Sequence, residues 1–556
     1  MPVHGTGSRP LTISTQSEPI NGSSTALLDC SAIASPGAKA TSLKQDPLNE
    51  IYQHKQLSNS SATIVFRELA AGVPLQQIAD SLAGIMNGDT PRFVVNFWEP
   101  HNIKPEWAFL QSTTQGGAFS GGFYKVIRYD EERGHLREAR SIRRDRLHDS
   151  DQRGNSVWGK LGIAINQMAD LSVNFYFGNK YDSNVAVICP HNPDDLLAIA
   201  AFASSAEFQE QVRIVEKKMN ITNATFGRVP IDLARWRCVG QELYREGFPK
   251  AFSSDPAQWV FDGHPASAHV GARLHVALAR ISGYRWPAET DPDMRLSDKT
   301  RAWIAKAAEL PAGDFDGLLG VPPVAGEKPL ADRLRTYLAA AFDAEWSDAL
   351  ERRLVAEADE AFDKKSARDG SLEVWLRDRA FRQHCALFGQ RPFLWHISDG
   401  LKDGFSVFVH YHRFDQANLR KLTYTLLGDW LARAKAENNA LRYEKGRELQ
   451  QKLEKILEGE KPYDIFVRWK SLAQQPVGWD PDLDDGVRQN IRPFIKADVL
   501  THDLSKILND KDRGNDVPSA PWFDLFNGER RNDHHTTLAE KRAARDAAAR
   551  RVEAAK

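Results

Sequence analysis

A chain of 556 residues, 42% of them hydrophobic, is long enough for two or three domains with a substantial core, which excludes a fibrous or wholly disordered protein. Its 73 basic and 74 acidic residues leave a formal net charge of -1, so no global basic field announces a nucleic-acid partner and any such surface has to come from local clustering. Cys30, Cys189, Cys238 and Cys385 are widely spaced and form no CxxC pair, which argues against a zinc site or a disulfide scaffold and fits a reducing compartment. No run approaches the roughly 20 apolar residues of a membrane span, and the N-terminus lacks a secretory pattern, so the expectation is a cytoplasmic protein without a membrane partner.

Met1 to about Gln45 is rich in Ser, Thr, Ala, Gly and Pro with no sustained period, and is expected to be disordered. From Pro74, the spacing of Leu75, Ile78, Ala79, Leu82 and Ile85 predicts a short amphipathic helix, and Phe93 to Trp98 predicts a strand. Gly116, Gly117, Gly121 and Gly122 flank Phe119 in a loop. Arg133, Arg137, Arg140, Arg143, Arg144 and Arg146 then form the richest arginine cluster, suited to phosphates. Interspersed acidic residues leave a solvated helix face as the rival reading. Ile163, Ile165, Phe175, Phe177, Val185, Val187 and Ile188 predict strands broken by the turn Gly178-Asn179-Lys180. Helices are expected from Asp195 through Phe202 and from Ala206 to Met219. Asn220 to Thr225 offers short amide and hydroxyl side chains that suit base edges or phosphates, or equally turn chemistry. A connector rich in Pro and Trp follows, then helical patterns over Leu330 to Phe342 and Trp346 to Phe362.

Arg391 to Leu431 reads as one unit. Phe393, Leu394, Trp395 and Ile397 form a first strand, Asp399 to Gly404 a glycine-marked turn, and Phe405 to His412 a return strand with His410 and His412 on one face. Asp415 then caps a helix whose apolar stripe is Leu419, Leu422, Leu426, Leu427 and Trp430. Leu431 to Leu457 continues as a polar helix, fitting a helical hairpin or interaction arm. Asp480, Asp482, Asp484 and Asp485 lie beside Arg488 and Arg492, at spacings closer to an internally bridged turn than to a calcium loop. Arg530 to Lys556 reads as an exposed basic helix.

The phrases "RPFLWHISDG", "DGFSVFVHYHRFD" and "LTYTLLGDWLA" in this unit, with "YFGNKYDSNVAVICP", "NITNATFGRVPIDLARW", "ARISGYRWP", "DDGVRQNIRPF" and "DRGNDVPSAPWFDLFNGERRNDHHTTLAEKRAAR" on either side, carry a resemblance. From about Thr63 to about Arg551 the chain resembles the C-terminal half of large adenine-specific DNA methyltransferases. These are the S-adenosylmethionine-dependent kind of restriction-modification and of BREX- or DISARM-like phage defence. The resemblance implies an α+β chain, with a mixed-sheet target-recognition domain followed by a largely helical C-terminal region containing the hairpin unit. The expected division is a disordered segment at 1–60, a DNA-specificity domain at 61–236, a connector at 237–329, a helical scaffold at 330–490 and a tail at 491–556. The first segment lies outside the resemblance, as a split gene, a truncated copy or a misplaced start would produce.

That family needs a glycine-rich loop after a first strand for its cofactor and an Asn/Asp-Pro-Pro-aromatic motif for the flipped adenine. Gly5 and Gly7 precede no strand, and Pro322-Pro323 lies between two valines, so neither motif is present. No catalytic residue, bound cofactor or metal is therefore assigned, and S-adenosylmethionine is implied only for a catalytic partner or a longer family member. His410 and His412 lack a matched third ligand, His384-Cys385 point apart on a helix, and GxSxG is absent. What remains is recognition of double-stranded DNA. The expected contacts are Arg140, Arg143, Arg144 and Arg146 on phosphates, and Asn179, Lys180, Asn184, Asn220, Thr222, Asn223 and Thr225 in loops on a rigid sheet. The expected partners are a methyltransferase catalytic domain or other defence-system subunits. One rival is a protein-interaction scaffold subunit of a phage-defence complex, binding through 330–457; another is an autonomous enzyme with an unfamiliar catalytic set.

Overall fold

Nearly continuous apolar runs within residues 162–190 build three strands of the four-stranded sheet of the first unit. The structure is a computed structural model that describes residues 24–28, 30, 33, 35–52, 56, 65, 69–87, 90–103, 105–114, 120–129, 152–168, 171–362, 370–467, 469–508 and 536–554. The chain divides into two compact units. One takes in the described residues of Met1–Gly88, Phe109–Phe123 and Leu147–Ala251, the other those of Asp89–Ala108, Tyr124–Arg146 and Phe252–Lys556. Where the sequence divides into consecutive blocks, the structure interleaves two early segments with the C-terminal part.

In the first unit, β1 (Ala79–Ala83), β2 (Gly162–Asn166), β3 (Val173–Tyr176) and β4 (Val185–Pro190) form an antiparallel sheet in the order β1-β4-β2-β3. Ile188 pairs with both Ile163 and Ser81, and Ile163 with Phe175. The helix predicted from Pro74 is corrected here: Leu75–Gln77 is a single tight turn, and Ala79 onward is strand. The apolar spacing fits either element, and pairing with β4, a hundred residues away in sequence, decides between them. Both faces of the sheet are buried, which is why its strands read as nearly continuous apolar runs. Ile163, Ile165, Phe175 and Ile188 pack with Ile199, Phe202, Phe208 and Phe226. Val185, Val187 and Ala164 pack with Val157, Tyr176 and Tyr181 on the other side. Each such large side chain contributes about 1.5–3 kcal/mol by leaving water.

The helices over the sheet are α1 (Leu196–Ala203), α2 (Ala206–Val215), α3 (Asn223–Arg228) and α4 (Leu233–Leu243). The Ser205 hydroxyl caps α2 by accepting from the Phe208 N–H at 3.2 Å. The second helix thus ends at Val215, four residues before the predicted end at Met219. Within the stretch expected to be disordered, Ser24–Leu27 pairs antiparallel with Asn49–Tyr52, and Pro36–Gln45 is a helix capped by Ser35. That helix buries only Ser42, so capping and local pairing, not an apolar core, define it.

In the second unit, β5 (Leu318–Gly320), β6 (Leu394–Ser398) and β7 (Ser406–His410) form an antiparallel sheet in the order β5-β7-β6. The predicted hairpin is β6–β7, with Ile397 opposite Val407. Its turn is closed by Asp399, whose carboxylate accepts from the N–H groups of Leu401 at 3.0 Å and Phe405 at 2.8 Å. Asp415 caps the following helix by accepting from Asn418 N–H at 2.8 Å, and Leu419, Leu422, Leu426, Leu427 and Trp430 are all buried. This helix passes through a widened turn at Lys421–Leu426 before continuing as Leu427–Ala436, and then reverses into Ala440–Glu458, giving a helical hairpin. Glu99 and Trp98 hold the early segment in this unit: Glu99 accepts from Asn96 and Val487 N–H groups, and the Trp98 indole donates to the Arg391 carbonyl at 2.7 Å. The acidic turn is bridged by Lys470, which pairs with Asp482 and Asp485. The basic C-terminal helix, Leu538–Ala554, is docked at its start: Lys541 is buried and donates to Asp464 and to the Ile465 carbonyl. His534 and His535 lie outside the described residues.

Helices and largely antiparallel strands occupy separate stretches of chain, so this is an α+β protein. Among the described residues no helix is long and apolar enough to cross a membrane. Arg280 is among the most thoroughly enclosed charges of the second unit, with its side chain 1% exposed. Its guanidinium donates to the Tyr337 hydroxyl at 2.8 Å, the Gly263 carbonyl at 3.1 Å, the Ala307 carbonyl at 2.6 Å and Glu289 at 2.6 Å. Replacing it as Arg280→Met strands the buried Glu289 carboxylate and is expected to cost about 3–5 kcal/mol, read as a lowered urea midpoint with unchanged slope.

Six histidines among the described residues, five of them buried and His412 half-buried, give the fold a pH dependence. Burial pushes His275 and His396 down to about 3 and His264 and His412 to about 4, and holds His384 and His410 well below the ordinary value. These rings stay neutral in the folded chain and protonate near 6.5 once unfolded, so the unfolded state binds more protons below that pH. Stability is full above about pH 6.5 and falls on acidification, by roughly 1.4 kcal/mol per pH unit for each net proton. Asp262 and Asp485, which burial raises to about 6, act in the opposite sense only from about there down to the ordinary carboxylate range. The urea midpoint is expected to drop between pH 7.5 and pH 6, and His396→Gln to make that drop smaller.

Candidate nucleic-acid interface

The loops that the sequence singles out in the first unit meet at one place, the residues that follow β2. The Gln167 N–H donates to the Asn184 carbonyl at 3.0 Å, and its carbonyl accepts from the Ile221 N–H at 2.7 Å. Met168 and Asn220 form a single antiparallel bridge beside it. The neighbouring Asn166 side chain exchanges two hydrogen bonds with the Thr114 backbone, its amide nitrogen donating to the carbonyl at 2.6 Å. Asn174 donates to the Thr114 hydroxyl at 2.6 Å. Three chain segments distant in sequence, around 114, 184 and 220, are thereby fixed to one corner of the sheet.

The positive φ of Gly122 (82°) closes the first of these loops. Its carbonyl accepts from the Ser112 N–H at 2.9 Å, and a Cβ at Gly122 would stand 2.1 Å from the Ser112 carbonyl oxygen. Of the glycine loop, residues 115–119 lie outside the described residues.

The expected contact residues separate into three groups. Asn184, Asn220 and Thr222 are exposed. The Asn184 amide donates to Asp182 at 2.8 Å in an Asx-type turn, and Thr222 precedes α3 with its hydroxyl 3.1 Å from that of Thr225. Lys180 stands 4.3 Å above the Trp158 ring, and Asn179 accepts from the Tyr176 hydroxyl through its backbone carbonyl at 2.6 Å, leaving its amide out of that contact. Asn223 and Thr225 are engaged inward. Asn223 and Ser81 exchange side chain-to-carbonyl hydrogen bonds, both at 2.8 Å, and the buried Thr225 hydroxyl donates to Glu216. Burial works against the Glu216 charge, but the Thr225 hydroxyl, Lys218 and the Thr222 backbone outweigh it and hold the carboxyl below its ordinary value. Turn chemistry thus accounts for half of the Asn220–Thr225 run. Arg140, Arg143, Arg144 and Arg146 lie outside the described residues.

The corner also exposes residues that the sequence reading passed over. Lys217, Lys218 and Met219, the last 74% exposed, directly precede Asn220 in the turn between α2 and α3, and Met168 is exposed across the bridge. Two adjacent lysines after an amphipathic helix are the available signal, masked by a helical spacing that the sequence carries through them to Met219. Chemically, the corner sets the ammonium groups of Lys217 and of Lys218, the latter paired with Glu216 at 3.2 Å, beside the exposed Asn220 amide, the Asn184 amide held by Asp182, a hydroxyl and exposed thioethers. This is a surface that can hold phosphate oxygens and present donors and acceptors to base edges.

The histidines of the β6–β7 unit are structural in geometry. The Ser282 carbonyl takes the Nδ1 proton of His410 at 2.9 Å, leaving His410 Nε2 to accept from His412 Nδ1 at 3.3 Å. His412 lies just beyond the strand, in the turn Tyr411–Arg413. His384 accepts from the Leu394 N–H. Among the described residues no group of three His, Cys, Asp or Glu side chains is placed to hold a metal ion. No protein-family model matches the chain, and no curated protein is similar to it.

Gly122→Ala is expected to cost about 1–3 kcal/mol through the strained turn and its contact with Ser112. Hydrogen exchange should show the loss of protection concentrated at Ser112 and around Thr114, not spread over β4.

Proposed function

We propose that this chain is the DNA-recognition portion of an adenine-specific DNA methyltransferase system of the restriction-modification or phage-defence type. It holds and reads duplex DNA while a separate catalytic polypeptide or domain supplies the S-adenosylmethionine site. The linked sequence phrases from Thr63 to Arg551 point to the family. The observation that carries the reading is the convergence of three loops where β2 ends, the 114 loop on the Asn166 side chain and the 184 and 220 loops on the Gln167 backbone. Loops anchored in this way vary in side chain without disturbing the sheet, which is what a specificity surface requires.

The division of labour follows from the chemistry of the corner. Lys217 and Lys218 neutralise phosphates and fix register without reading sequence. Asn184 and Asn220 each carry a donor and an acceptor, the pattern that matches the N6 and N7 edge of adenine in the major groove. Acting on a base inside a duplex also requires that base to be unstacked, so a recognition surface that grips both sides of the target lowers the cost of extrusion for the catalytic partner.

A second reading, a protein-interaction scaffold, is favoured by the helical hairpin of the second unit. There Tyr424, Leu441 and Tyr443 are exposed on adjoining helices. Substituting these three by Ser separates the two readings: lost assembly with DNA affinity retained supports the scaffold.

The deciding experiment is methyl transfer from labelled S-adenosylmethionine to genomic DNA, with the purified chain alone and then with the methyltransferase encoded beside it. Activity only in the mixture is expected, and activity of the chain alone overturns the reading. In parallel, Lys217→Ala with Lys218→Ala is expected to weaken binding to all duplexes and to flatten the salt slope by about 1–2. Asn220→Ala should cost about 1–3 kcal/mol on preferred sequences and little on others. Unchanged slopes and preferences would remove the corner from the interface.

A further inference from the structure

A cavity of about 380 Å³ opens in the second unit between the β6–β7 turn, the helical hairpin, the proline-rich loop after β5 and the helix Leu372–Asp378. Its volume lies in the range of small-molecule sites and far above that of a single water. The walls are apolar: Val321, Pro322 and Pro329 on one side, Leu376 and Ala434 on another, with the Trp430 indole among them. None of the chemistry assigned above uses this place.

The charges around it are unequal in kind. Arg377, Lys402, Arg433 and Arg442 line the cavity against Glu373, Asp403 and Glu437, four cations to three carboxylates. The carboxylates are already engaged: Arg442 reaches Asp403 at 2.9 Å and Glu437 at 3.4 Å, and Glu373 is taken by Arg335 at 2.7 Å. Three of the cations are paired as well, Arg377 with Asp378 at 2.7 Å, Arg433 with Asp429 at 3.5 Å and Arg442 with Asp403 and Glu437, which leaves Lys402 as the uncommitted charge. Lys402 stands exposed on the hairpin turn with no hydrogen-bond or ion-pair partner among the described residues. The guanidinium groups of Arg433 and Arg442 each lie 5.3 Å from the Trp430 ring. The Arg442 Nε–H and the Trp430 Nε1–H are buried with no acceptor among the described residues, and Trp430 itself is 7% exposed. A buried N–H donor left unpaired costs about 1–3 kcal/mol, so two of them in residues lining one cavity mark a place where an acceptor is missing.

We propose that this cavity is a binding site for a small aromatic anion, a flat ring carrying one carboxylate or phosphate group. The ring would pack among Trp430, Leu376 and the prolines, and the anion would be met by Lys402 and the guanidinium edge of Arg442. Charge selects against cations, because every lining carboxylate is already paired. Size selects against macromolecules, because a cavity of about 380 Å³ has room for one small ring and its substituent. The site is independent of the DNA-binding corner, which belongs to the other unit, so either assignment stands if the other fails.

Fluorine NMR of the full chain tests this with three probes of one shape: 4-fluorobenzoate, 4-fluorophenyl phosphate and the neutral 4-fluorobenzyl alcohol. At least one anion is expected to broaden and shift saturably at sub-millimolar to millimolar concentration, with the alcohol weaker by about tenfold or more. The preferred anion tells carboxylate from phosphate. Lys402→Ala, at an exposed turn position that leaves the fold intact, should weaken the anion by about three- to tenfold and leave the alcohol unchanged. Trp430→Leu, checked for folding by circular dichroism, should weaken both ring probes. Equal binding of alcohol and anion, no saturable binding by either anion up to about 10 mM, or indifference to Lys402→Ala each overturns the proposal.

Discussion

A guanidinium cannot be taken out of water unless its donors are met, and in the second unit that demand falls on Arg280. Its side chain gathers Tyr337, Glu289, Gly263 and Ala307, four pieces of chain spread over some seventy residues. Each piece on its own has other ways to settle. Only the arrangement that brings all four to the same planar group avoids a bare buried charge. The helix Arg273–Ile281, which carries Arg280, is therefore fixed in place along its length, and through the Ser282 carbonyl so is His410 on the central strand of the three-stranded sheet. The neutral histidines nearby depend on the same enclosure, because burial keeps them unprotonated.

The first unit solves a different problem, how to display polar side chains without loosening the sheet behind them. Its strands β2, β3 and β4 are largely buried on both faces, so exposed polar side chains do not project from that part of the sheet. They are displaced to the corner where β2 ends and β4 begins, where two loops bond the Gln167 backbone and a third the Asn166 side chain. Inward-facing Asn223 and Thr225 and outward-facing Asn184 and Asn220 belong to one economy. The first pair holds the turn so that the second pair, with the adjacent lysines, can vary.

Much of this was legible in the sequence where the determinants were local. The hairpin over 394–410 follows from alternation and a glycine turn, and the helix after it from Asp415 and a stripe of leucines. The helices Leu330–Phe342 and Leu196–Ala203 follow from apolar spacing. Legibility failed where a distant partner decided the outcome. Ala79–Ala83 carries spacing compatible with a helix, and only β4 makes it a strand. The early segment around Trp98 and Glu99 joins the second unit through Arg391 and Val487, which no local pattern announces. For the run Asn220–Thr225 the sequence leaves recognition and turn chemistry as alternatives, and the hydrogen bonds of Asn223 and Thr225 turn those two side chains inward. The cavity beside Trp430 draws its lining from four stretches between 321 and 442, and cavities of that kind leave no trace in a linear pattern.

The interleaving of the two units has a consequence for descent. The chain passes from one to the other five times, at 88, 108, 123, 146 and 251. A recognition module encoded as one continuous block can be traded between genes by a single recombination event, and new sequence preferences can spread that way. Here a single exchange between 88 and 251 would deliver a part of each unit, with strands and their partners drawn from different parents. On the proposed reading, new preferences in this architecture arise by point changes at exposed loop positions such as Lys217, Lys218, Asn220 and Thr222, whose side chains lie outside the core packed on the sheet.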